Sequence, residues 1–199
     1  MHAAQQYFSQ AKARSKENQE AFALLHAKQL FGVCIGLLRQ ELDTLVNLCY
    51  LEHHDSTHAE AVRLMEQSAK GKKWEKVSAK GKYSRITDRE MVNLASRLGG
   101  WEKLIYDFGC KLVHLSNFHI YQTNDPVASL PIEERERLIE YLKSYHSYPK
   151  TSISMQDVAD YLPEVMAKLS RNVESCIKRL EGRFLGSATQ PVGRGDSQE

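Results

Sequence analysis

Residues 21–54, "AFALLHAKQLFGVCIGLLRQELDTLVNLCYLEHH", decide the fold. The stretch contains no proline, and Leu24, Phe31, Ile35, Leu38, Leu42, Leu45 and Cys49 recur at steps of three, four or seven. Such steps line one face of an α-helix. Read as a single helix, about 30 residues at ~1.5 Å each extend roughly 45 Å, enough for the spine of a bundle. Gly32 and Gly36 lie one turn apart on this helix and predict the close approach of a second one.

Working outward, helix signals dominate. A second helix is expected from Thr57 to Ala69. "TDRE" (87–90) has the form of a capping box, in which the threonine oxygen accepts from an orphan amide and the glutamate reaches back. It opens a helix to Arg97 that Gly99-Gly100 ends. Trp101, Leu104, Ile105, Phe108, Leu112, Leu115 and Phe118 or His119 predict a core stripe on a helix running to about Tyr121. Pro131 suits the first turn of a helix from Ile132 to about His146, where its missing N–H is no loss. Ser154 caps a last helix to about Leu185, which Pro163 either kinks or restarts. The tail "SATQPVGRGDSQE" offers nothing to pack and is expected to be disordered; its Arg194-Gly195-Asp196 is read as chance. The expectation is an all-α bundle of long antiparallel helices with short accessory ones: a single domain over residues 1–185, followed by the tail at 186–199.

Composition bounds the function. With 42% hydrophobic and 26% charged residues in 199, the chain is globular in type and sized for one core. Its longest apolar run, Leu30 to Leu38, is far shorter than the ~20 residues of a bilayer span. The polar start, "MHAAQQYFSQAKARSKENQE", lacks the apolar stretch of a secretory signal, so a cytoplasmic location is expected. Cys34, Cys49, Cys110 and Cys176 form no CxxC pair and are read as buried reduced thiols. The net charge of +2 hides a local excess: Ser68 to Arg85 carries seven basic residues against Glu75 alone.

That basic stretch, "SAKGKKWEKVSAKGK" (68–82), repeats Ser-Ala-Lys-Gly-Lys on either side of a tryptophan. Lys70, Lys72, Lys73, Lys80 and Lys82 can attract phosphates without reading sequence, through counterion release. Trp74 and Tyr83 can stack on unpaired bases. The segment lacks the GxxxxGK[ST] order of a nucleotide-gripping loop. The alternative is a solvated interhelical loop with Trp74 anchoring it to the core.

Two further constellations carry chemistry. Arg39 and Asp43 lie four apart on the spine, and His114 interrupts a later apolar helix. If the two helices pack side by side, the three could form an acid/base or phosphate-binding pocket. In it Arg39 would hold the phosphate, His114 exchange a proton and Asp43 orient one of them. The alternative is a buried network that fixes helix register. In "EHHDSTH" (52–58), His54 and His58 would share one face of a continuous helix and could bind a metal. Asp55-Ser56-Thr57 instead reads as a helix end and a new cap, so no metal or other cofactor is expected.

"LLRQELDTLVNLCYL" (37–51), "KKWEKVSAKGKYSRITDREMVNLASRLGG" (72–100) and "WEKLIYDFGCKLVHLSNFH" (101–119) together resemble the HEPN superfamily, in a bacterial branch without an assigned function. The resemblance covers about residues 20 to 125. It implies an all-α, often dimeric protein that binds or cleaves RNA or DNA in a defence or stress role. Catalytic members carry an arginine followed after four to six residues by a histidine. This chain lacks that spacing: Arg137 and His146 are separated by eight residues. A non-cleaving member, or one using a rearranged site, fits better than a ribonuclease with the usual motif. The rival from another class is a protein–protein interaction bundle of antitoxin or adaptor type.

Overall fold

The computed structural model describes residues 2–77 and 81–186. Seven helices follow in order: α1 (His2–Ala27), α2 (Phe31–His53), α3 (His58–Ala69), α4 (Asp88–Gly99), α5 (Glu102–Val113), α6 (Ile132–His146) and α7 (Met155–Leu185). Between α3 and α4 a short antiparallel ribbon pairs β1 (Glu75–Val77) with β2 (Tyr83–Arg85). A single 3-10 turn, Asn117–Ile120, follows α5. The all-α bundle is therefore observed. The C-terminal tail from residue 187 and Lys80 lie outside the described residues.

The spine is α2. It packs on α1, α4, α5 and α7, and accordingly buries residues around most of its circumference, among them Cys34, Leu42, Val46, Leu48 and Leu51. A helix apolar on all sides belongs in the centre of a fold. Each fully buried leucine there contributes about 2 kcal/mol of transfer free energy. Contacts of Ser15 and Asn18 with Glu41, and of Lys12 with Glu181, set α1 antiparallel to both α2 and α7. Contacts of Glu52 with Arg179 and of Leu51 with Arg183 belong to α2 and α7 running side by side. One continuous hydrophobic cluster reaches from Ala4 to Phe184.

Two expectations are corrected, and one helix is added that the sequence reading did not name. The helix expected over 21–54 is two helices: Gln29 takes φ 57° and turns the chain, with Leu30 N–H donating back to the Leu25 carbonyl at 3.0 Å. Leu24 consequently lies 72% exposed rather than in the core. The polar N-terminal stretch is helical, because Ala4, Phe8, Ala11, Ser15, Asn18 and Phe22 form a buried stripe at steps of three and four. The helix from Trp101 stops at Val113 rather than Tyr121, leaving Leu115 94% exposed while Phe118 is buried by the following turn.

Other local signals act as the sequence suggests. Thr87 accepts from Glu90 N–H, although the Glu90 carboxylate goes to Lys76 rather than back to the cap; Ser154 accepts from Asp157 N–H, and Gly100 closes α4 at φ 80°. Pro163 does not end α7. A proline cannot donate to the carbonyl four residues earlier. That carbonyl, on Ala159, lies 3.0 Å from His26 Nε2 of α1, so an imidazole N–H supplies the hydrogen bond that proline removes. Of the two glycines on the spine, Gly32 admits a neighbour, since a Cβ there would sit 3.3 Å from Leu112; Gly36 faces nothing within 4 Å.

Candidate nucleic-acid interface

Arg39 and Asp43 form the ion pair that their spacing suggests. The guanidinium lies 3.9 Å from the centre of the Tyr106 ring, and its aliphatic stem crosses α5 at Gly109, where a Cβ would stand 3.3 Å away. Arg39 is 8% exposed. Its charged form is held by Asp43 and Tyr106 against the opposing effect of burial. Burial also pushes the Asp43 carboxyl above its ordinary value, although Arg39 pulls the other way.

His114 does not join them. It is the exposed C-cap of α5, in extended backbone. Gly109 is level with Arg39 and Leu112 with Gly32, so α5 runs opposite to α2. His114 therefore lies beyond the Gly32 level, and seven residues separate that level from Arg39, about 10 Å along the axis. The structure pairs Arg39 with Asp43 and places His114 elsewhere. What remains is a buried cation clamped between an aspartate and a tyrosine.

His54 and His58 are likewise separated. His54 stacks on Tyr50 at 4.4 Å, whereas His58 begins α3 behind its Thr57 cap and packs on Phe184 at 4.8 Å. Among the described residues no group of three His, Cys, Asp or Glu is placed to hold a metal ion. No helix among them is long and apolar enough to cross a membrane.

The lysine stretch is a braced ribbon rather than a plain loop. Gly71 at φ 66° and Gly81 at φ 73° take left-handed backbone, which glycine adopts without a Cβ clash. Trp74 is 5% exposed, so of its two expected roles it takes the anchoring one rather than offering its ring to bases. It packs near Tyr7 and Tyr50, with its indole N–H donating to Ser68 Oγ at 2.8 Å. Ile86 N–H donates to the Trp74 carbonyl at 2.9 Å, and Arg63 to the Glu75 carbonyl at 2.5 Å. The tryptophan thus pins the ribbon to the bundle.

Strand alternation then sorts the ribbon's two faces. Lys76 and Ser84 are paired on one face, where Lys76 meets Glu90 of α4 at 2.5 Å. Glu75, Val77, Tyr83 and Arg85 share the other, and Tyr83 is 62% exposed there, opposite Val77. Lys70, Lys72, Lys73 and Lys82 are exposed around the ribbon's approaches. The ribbon leads directly into α4, whose solvent side carries Arg89, Asn93 and Arg97 at helical steps of four, around a shallow concavity shared with Thr87 and Glu90. These arginines continue the basic surface. Their spacing is readable in the sequence, beside the stronger capping signal that opens the same helix.

A second cluster had no sequence signature. Lys168 of α7 points its ammonium among the rings of Trp101, Tyr141 and Tyr145, 4.3, 5.2 and 3.2 Å from their centres, with no hydrogen-bond partner among the described residues. Burial pulls its pKa down to about 8, against the attraction of Glu102. Glu102 is itself buried and pushed up by desolvation, although it accepts from Trp101 N–H at 3.1 Å. Ring faces attract a cation, so this lysine ties α5, α6 and α7 through aromatic contacts instead of hydrogen bonds.

No family model, no curated protein and no solved structure matches the chain.

Proposed function

We propose that this chain is a HEPN-like, nucleic-acid-associated protein that binds RNA or DNA through the braced ribbon and the arginine side of α4, without cleaving it. The observation that carries this reading is Tyr83, exposed on the same ribbon face as Arg85, with Lys70, Lys72, Lys73 and Lys82 exposed around it. Ammonium and guanidinium groups neutralise phosphates regardless of sequence, while an exposed aromatic face accepts an unpaired base. The buried Trp74 keeps the platform rigid, which lowers the ordering cost of binding. Binding without cleavage is supported by the absence of an arginine–histidine pair at HEPN spacing and by the separation of His114 from Arg39. A cytoplasmic homodimer acting in defence or stress completes the reading.

The test is an electrophoretic shift with generic single-stranded RNA and with DNA. Replacing Lys70, Lys72, Lys73 and Lys82 together by glutamine should weaken binding at least about tenfold near 0.1 M salt. Tyr83→Ala should weaken single-stranded binding by about 1 kcal/mol or more. Unchanged affinity in both variants overturns the reading.

A second reading, a protein-interaction bundle, has its own support. Val113, Leu115 and Ile120 are exposed together at the end of α5, at 57, 94 and 51%. Leu115→Ser should then abolish partner binding or self-association in light scattering, while leaving RNA affinity alone.

A further inference from the structure

Cys49 and Cys176, far apart in sequence, meet where α2 packs on α7. Ile35 shares a cavity wall with Leu162 and Glu52 binds Arg179, so α2 and α7 run parallel and Cys49 comes level with Cys176 across this seam. Each sits three residues before a charged partner: Cys49 before Glu52 on α2, Cys176 before Arg179 on α7. Arg179 binds the Glu52 carboxylate with two N–H groups and donates to Cys176 Sγ at 3.1 Å. The guanidinium is therefore fixed in place by Glu52 while it faces the sulfur. Cys176 is 4% exposed, Cys49 half-buried and Arg179 exposed, so the pair lies at the rim of the seam rather than at its centre.

We propose that Cys49 and Cys176 form a redox-active dithiol, in which Cys176 is oxidised by a hydroperoxide and Cys49 closes a reversible disulfide between α2 and α7. The environments divide the roles. The neighbouring Cys49 thiol and Arg179, 3.1 Å from the sulfur, pull the Cys176 pKa below that of an ordinary thiol, although burial and Glu52 oppose them. The neighbouring Cys176 sulfur and burial push Cys49 upward. A thiolate stabilised by a cation is the usual attacking sulfur, and a protonated neighbour is the resolving one.

The step balances. The Cys176 thiolate attacks one oxygen of the peroxide; an S–O bond forms, the O–O bond breaks, and the leaving oxyanion takes a solvent proton. Cys176 becomes a sulfenic acid. The Cys49 sulfur then attacks the Cys176 sulfur, an S–S bond forms, and the departing hydroxide takes the Cys49 proton to leave as water. Two electrons pass from the dithiol to the peroxide. A small thiol reductant reverses the change by exchange.

Hydrogen peroxide added to the full chain, followed by peptide mass spectrometry without reduction, tests this. The expected product is a Cys49–Cys176 linked peptide, lighter by two hydrogens and released by dithiothreitol. Cys49→Ser should leave a sulfenic acid on Cys176 that a 1,3-diketone probe captures. Arg179→Gln should slow the oxidation about tenfold, with Arg179→Lys recovering part of the rate. The wild-type protein needs no variant for refutation. The proposal fails if peroxide oxidises Cys110 or Cys34 first, or if Cys49 and Cys176 stay reduced where free cysteine is consumed. It also fails if the linked peptide forms equally fast without the Arg179 cation.

Discussion

Arg39 and the ribbon lysines put the same sign of charge in opposite surroundings. Arg39 stands on the central helix, 8% exposed, its charge taken up by Asp43 and the Tyr106 ring. Lys70, Lys72, Lys73 and Lys82 stand outside the bundle on a segment that Trp74 anchors from below. A cation brought into a bundle must be matched there, because an unmatched buried charge costs several kcal/mol. A matched one has little left to offer a ligand. The arginine that interrupts the apolar helix therefore holds helices together, and the lysines exposed to solvent, whether or not they have a protein partner, can exchange it for phosphate.

The largest expected effect breaks the buried half of this comparison. Arg39→Ala leaves the half-buried Asp43 without its partner and removes the packing on Tyr106 and Gly109, and should cost on the order of 3 kcal/mol in chemical denaturation. RNA affinity of the folded protein should not change. Lost affinity at unchanged stability would make Arg39 a ligand-binding residue and reverse the contrast.

Asp157 is an intermediate case: a carboxylate at the start of α7, 8% exposed yet salt-bridged to Lys150 at 2.5 Å. Burial pushes its pKa up, but the hydrogen bonds from Lys150 and Ser154 outweigh burial and bring it down to about 2 from 3.8. A depressed folded value means that the stabilisation is present above the unfolded pKa and fades as pH falls from about 4 toward 2. Its size is on the order of 2 kcal/mol. Asp157→Asn should flatten the acid side of the stability profile in that window, and an unchanged profile would show that the cap carries no charge effect.

His26→Ala should cost about 1 kcal/mol, because it leaves the Ala159 carbonyl opposite Pro163 without a donor. The additional change Pro163→Ala restores an amide to α7 and should recover that loss. The smallest effect belongs to His114, exposed at the end of α5. His114→Ala should alter stability by less than ~0.5 kcal/mol and leave nucleic-acid binding as it was. A large effect on either would return His114 to a site that the geometry does not form.

The bundle was legible from the apolar period of α2 and from the capping or turn residues that open α3, α4, α6 and α7. The break at Gln29 was not, since neither glycine nor proline marks it and the apolar spacing runs across it. α1 hid because its buried stripe includes Ser15 and Asn18, which are buried only through their hydrogen bonds to Glu41 of α2. The candidate site was legible as charge: the lysines are where a solvated segment would put them. The burial of Trp74 depended on Tyr7 and Tyr50, partners that local reading does not bring near. Lys168 escaped for the same reason, its three rings being supplied by α6 and the start of α5.

The most direct measurement is the salt dependence of binding to single-stranded RNA, taken on the wild-type chain and on the glutamine variant of Lys70, Lys72, Lys73 and Lys82. Each phosphate-bound lysine contributes about 0.7 to the slope of log affinity against log salt, so the four substitutions should reduce its magnitude by about 3. Equal slopes in the two proteins would contradict the account, because the ribbon would then hold no phosphate.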